Sequence, residues 1–201
     1  MIVGYIILMG LVLFTLLVCA VFAGKQGSKL GRAIKKLIEV AFVCAASNMA
    51  FILTNNEILA TVFFGAFSVL VDWMLVYLYH YAYLYTEHVK PNKVKTVLIR
   101  SIVILDTISF GLNNFFHHLF TFHGAVKKGE FQIYLVDTDS YFFYLHYVVC
   151  YIIVIQVVYL LVKKIFMTSR FYRKKYYNIL LYFGVVMLND GICTTLKLSI
   201  N

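Results

Sequence analysis

Residues 2–22 read IVGYIILMGLVLFTLLVCAVF, with no charged side chain in the run. As a helix rising ~1.5 Å per residue, it reaches the ~30 Å needed to cross the hydrocarbon core of a bilayer. No basic residue precedes it, and the run is too long for the apolar region of a cleaved leader, so it is expected to stay as a first membrane helix. Comparable runs follow at Ala33–Thr54, Ile58–Tyr81, Val97–Leu112, Tyr141–Val162 and Tyr177–Leu196. The runs are continuous rather than alternating at period two, which argues against a β-barrel. The expected fold is therefore an all-α polytopic membrane bundle of six transmembrane helices, a single domain over residues 1–201. At 62% hydrophobic and 13% charged residues, the chain leaves little material for a soluble domain. The third helix is expected to continue to about Glu87, before Pro91 breaks it.

The basic residues orient the bundle. Fifteen of the eighteen Lys and Arg residues fall in the loops after spans one, three and five, and only Lys127, Lys128 and Lys197 lie on the other side. The positive-inside rule then makes the odd loops cytoplasmic and puts the N-terminus outside. The expected location is a bacterial plasma membrane. The net charge of +9 needs no nucleic acid to explain it. The segment KKIFMTSRFYRKKYY (163–177) interleaves basic and aromatic residues as an interfacial loop on anionic lipid does, so the expected partners are membrane lipids.

The one long outer loop, 113–140, begins NNFFHHLFTFHG. LFTFH and EFQIYLV, separated by GAVKKG, predict a short β-hairpin on the outer face, and VDTDS predicts a helix cap before Tyr141. Beneath this loop, counting inward at 1.5 Å per residue puts Asn48, Asp106, His146 and Asp190 in one layer ~8–10 Å deep, with Asp72 deeper at ~20 Å. Ionisable groups inside a membrane are costly, which makes them candidates for function. They either floor an outward-open pocket for a small ligand or pair with one another and pin the helices.

No metal site is expected among His117, His118 and His123, because none has the spacing of three or four that a helical zinc pair needs. Cys19, Cys44, Cys150 and Cys193 show no paired spacing and read as small hydrophobes. The chain has no phosphate-binding glycine loop, nucleophile elbow or HExxH motif, so neither enzymatic activity nor a cofactor is expected.

Taken in order, NNFFHHLF (113–120), YFFYLHYVVCYIIV (141–154) and FYRKKYYNILLYFGVVMLND (171–190) resemble the N-terminal seven-helix sensory region of bacterial histidine kinases and diguanylate cyclases. The resemblance covers the chain from about Ile58. It implies an outer sensory motif of Asn113, His117, His118, Tyr144, His146 and Tyr147, with Arg173, Lys174 and Lys175 as a cytoplasmic basic turn. Six helices ending outside would be one short of that region, so the chain is expected to stop before the last helix and the effector. The function expected is a sensor that takes up a small-molecule signal in an outer pocket and relays it through a homodimer. The alternative is a stand-alone six-helix solute-binding subunit of a membrane transporter, which would place both termini inside.

Overall fold

A computed structural model describes residues 2–87, 92–128, 131–170, 173–181 and 184. The elements run α1 (Ile2–Lys25), α2 (Lys29–Leu53), α3 (Glu57–Glu87), α4 (Lys93–Phe116), β1 (Thr121–Lys128), β2 (Phe131–Asp137) and α5 (Tyr141–Met167). Residues 173–181 are also helical. Among the described residues the fold is mostly helical, with one small antiparallel sheet.

Polar caps set the helix ends, so most helices are longer than their apolar runs. After α1 the chain reverses at Gly27, whose φ of 55° lies in the left-handed region. Ser28 Oγ then accepts the Gly31 N–H at 2.9 Å and starts α2 four residues ahead of the expected Ala33. A Cβ on Gly31 would stand 2.9 Å from Gln26 Cβ, so the turn has room only for glycine there. Asn56 Oδ1 accepts the N–H groups of Ile58 and Leu59 at the start of α3, and Asn92 Oδ1 accepts that of Val94 at the start of α4. The third helix does continue to Glu87, while α4 passes the expected Leu112 to reach Phe116. Pro91 and most of the expected sixth span, including Asp190 and Cys193, lie outside the described residues.

Among the described residues, four helices are long and apolar enough to cross a membrane: α1 from Gly4, α2, α3 and α5. α4 carries Lys93, Lys95, Arg100 and Asp106 and is more polar. Much of the apolar surface is bare: Leu11 is 60% exposed and Phe14 66%. In water each such side chain would forgo a burial gain of about 1.5–3 kcal/mol, whereas lipid makes exposure free. α3, at 31 residues, would measure ~46 Å, more than a hydrocarbon core requires.

The chain forms two compact units, Met1–Val154 and Ile155–Asn201. In the first, α2 packs on both α1 and α3, and α3 packs on α4. The hairpin lies at the end where α2 finishes and α3 begins. Gln132 N–H donates to Asn55 Oδ1 at 3.2 Å, and Phe122 stacks on Phe51 with centroids 6.2 Å apart. Its register pairs Thr121 with Asp137 and Phe122 with Val136, then Gly124 with Leu135, so His123 is an extra, bulged residue. Gly124, with φ of 152°, absorbs the bulge. The expected turn GAVKKG is mostly strand, because β1 continues to Lys128. In the second unit, Arg173 Nε donates to Thr168 O at 2.8 Å and Lys175 Nζ sits 4.9 Å from the Tyr176 ring centre.

Candidate functional site

Three helices of the first unit bring their ionisable residues to one point. His146 on α5 is 5% exposed, and its Nδ1 lies 2.6 Å from Asp106 Oδ2 of α4 and 3.4 Å from Asp72 Oδ2 of α3. With a carboxylate at 2.6 Å, Nδ1 carries the hydrogen and donates it to Asp106. Cys150, one turn along α5 on the same face, donates its S–H to Asp72 Oδ1 at 2.9 Å and lies 3.8 Å from His146 Nε2. Asp72 is fully buried, and its Oδ2 accepts no hydrogen bond. A second tie crosses α3 and α4 beside the cluster, where Trp73 Nε1–H donates to Thr107 Oγ1 at 3.3 Å.

An aromatic roof separates the cluster from the hairpin end. Phe110, Leu119, Phe120 and Phe143 form a buried core, against which Phe64, Phe122 and Tyr147 pack. The Phe110 ring meets the His146 imidazole edge-on at 4.9 Å, and Phe143 lies 5.4 Å from it. Phe110 also walls a cavity of about 220 Å³ between α3 and α4, lined by Thr61, Gly65, Thr107 and Asn114 among others. One aromatic ring thus divides an open groove from the buried charges.

Asp106 and His146 were expected in one layer and do meet. Asp72 was expected about two helical turns deeper, yet it touches the same imidazole. Depth counted from span ends assumes that all helices begin in one plane. α3 instead starts 15 residues before Asp72, while α5 starts only five before His146. Asn48 is not in this cluster: its Nδ2 donates to Tyr5 Oη at 3.2 Å and ties α2 to α1. Cys150 was missed because a cysteine in an apolar run reads as a hydrophobe. The available signal was its spacing of four from His146.

The outer motif residues divide by role. Asn113 is fully buried: its Oδ1 accepts from Leu119 N–H (2.7 Å) and Phe120 N–H (3.3 Å), and its Nδ2 donates to Phe120 O (3.1 Å). It pins the chain as α4 turns into the hairpin. His117 caps α4 in the left-handed region at φ 49°, with an exposed side chain. The His118 ring pairs through Nε2 with Ser109 Oγ at 2.9 Å and meets Phe142 edge-on, while its carbonyl accepts from Ser140 Oγ. His123 instead pairs with Asp137 across the bulge. Ser140, inside the expected VDTDS cap, accepts the Phe142 N–H. Tyr144 is exposed and donates weakly to Asp139 at 3.4 Å, whereas Tyr147 packs on Phe143 at 5.1 Å.

At the opposite, basic end, Lys29, Arg32 and Lys36 of α2 and Arg100 of α4 surround a cavity of about 360 Å³ floored by Tyr77 and His80 of α3. Comparison of the chain with family models, with characterised proteins and with solved structures finds no match in any of the three.

Proposed function

We propose that the chain is a polytopic membrane sensor module that crosses a bacterial plasma membrane six times, hairpin end outside and basic end in the cytoplasm. The signal acts on the Asp72–Asp106–His146–Cys150 cluster, and a change in its bonding shifts α3, α4 and α5 against one another for a cytoplasmic effector to read. The observation that carries the reading is the burial of Asp72 and His146, on separate helices, in contact with the half-buried Asp106 and Cys150. A pin needs only one neutral hydrogen bond, whereas two carboxylates at one imidazole hold charge that must be balanced inside a membrane. Such a cluster has more than one low-energy arrangement, and a signal that prefers one of them shifts the packing.

Two further features support the reading. The basic cavity suits lipid phosphates, as expected of an end facing an anionic cytoplasmic leaflet. Of the three segments that resemble the seven-helix sensory region of bacterial kinases and cyclases, YFFYLHYVVCYIIV (141–154) carries His146 and Cys150. Reporter fusions after Lys128 and after Arg170, one active only in the cytoplasm and one only outside, test the orientation. The proposal expects Lys128 outside and Arg170 inside; the reverse would refute it.

A further inference from the structure

We infer that His146 Nε2, Cys150 Sγ and the Asp72 carboxylate form a binding site for a divalent cation of the zinc class, with Asp106 as the residue that orients the imidazole. The inference rests on the sensor reading of this cluster and names the chemistry it takes up.

Three observations lead there. Among the described residues, this trio forms a group of metal-ligating side chains whose donor atoms all lie within 4.8 Å of one another. Bonds of about 2.0–2.3 Å to one tetrahedral ion place donor atoms ~3.5 Å apart. The sulfur lies 2.9 Å from Asp72 Oδ1 and 3.8 Å from His146 Nε2, so the two distances bracket that value. Next, the bond from Nδ1–H to Asp106 Oδ2 leaves the Nε2 lone pair free on the side of Cys150. A carboxylate behind a histidine in this way fixes the tautomer and raises the basicity of the ligating nitrogen. Finally, Asp72 is fully buried, and its Oδ2 accepts no hydrogen bond, meeting the His146 imidazole only as an ion-pair contact to Nδ1 at 3.4 Å.

The donor set selects the ion. One sulfur, one imidazole nitrogen and one carboxylate oxygen suit a borderline ion such as zinc, whereas calcium and magnesium take all-oxygen shells. On binding, the Cys150 S–H bond breaks, its proton leaves to solvent and the sulfur lone pair bonds the metal, with no change of oxidation state. Three protein ligands leave a fourth position open for water or a solute.

The test uses the full chain purified in detergent micelles, stripped with chelator and then titrated with Zn²⁺, or with Co²⁺ as a coloured substitute. One equivalent of zinc per chain is expected, with a thiolate-to-cobalt charge-transfer band in the near ultraviolet. Cys150→Ser removes the band and Cys44→Ser, on α2 outside the cluster, keeps it. Asp106→Asn keeps the band but weakens affinity about 10–100-fold, a loss that a purely structural residue would not give at unchanged stoichiometry. A folded, monodisperse wild-type chain that holds no zinc and shows no band overturns the inference, and so does a band that survives Cys150→Ser. Reversed reporter orientation would refute the sensor reading while leaving this titration unchanged, so the two failures are distinguishable.

Discussion

Asn113 and His117 stand four residues apart, yet substitution should move stability in opposite directions. Replacing Asn113 with Ala strands the buried N–H groups of Leu119 and Phe120, and at about 1–3 kcal/mol per unmet donor the chain should lose about 2–6 kcal/mol. His117 occupies a left-handed cap that costs a non-glycine residue roughly 1–2 kcal/mol, so His117→Gly should stabilise by up to about 1 kcal/mol. Thermal unfolding of the two variants in one detergent checks both signs. In the cluster, Asp106→Leu alone removes the partner of the His146 Nδ1–H and should cost about 3–5 kcal/mol, whereas adding His146→Leu should recover much of that loss. At this scale the sequence was informative where an ionisable residue interrupted oil, as at Asp106 and His146. It could not reveal that Asn113 bonds backbone, because that depends on where residues 119 and 120 return after the cap.

Among the elements, the helices were legible because a continuous apolar run of some twenty residues has few structural options in lipid. Their ends were less so, since Ser28, Asn56 and Asn92 begin helices in polar sequence outside the runs. The hairpin was legible from two aromatic, β-branched stretches, but its turn was placed too early. The pairing of Val126 with Ile133 and Lys127 with Gln132 extends the ladder through residues that glycine on either side made look like loop. The bulge at His123 makes a prediction of its own. Gly124→Val forces a branched side chain into a backbone region that favours glycine, at a cost of about 1–3 kcal/mol. Trypsin should then cut at Lys127 and Lys128 faster than in the parent protein.

At the scale of the whole molecule, Lys29, Arg32, Lys36 and Arg100 gather around one cavity, where the proposed function sets an anionic leaflet. That placement is separately testable. Near a charged leaflet each basic residue contributes about 1 kcal/mol, so Arg32→Gln with Arg100→Gln should weaken retention of anionic lipid by roughly 30-fold. Native mass spectrometry of the detergent-solubilised chain reads that loss. The meeting of Asp72 with His146 was not legible at this scale, because relative helix stagger comes from packing and no single run of sequence encodes it.

The most direct test of the central claim is alkylation of Cys150 in intact cells by a membrane-impermeant maleimide, with Cys19, Cys44 and Cys193 replaced by Ser. If the cluster takes up a signal from the hairpin side, Cys150 reacts slowly in the parent chain and several-fold faster once Phe120→Ala thins the aromatic roof. Labelling that fails in both chains from outside, yet proceeds when the reagent is given only to the cytoplasmic face, would contradict the account.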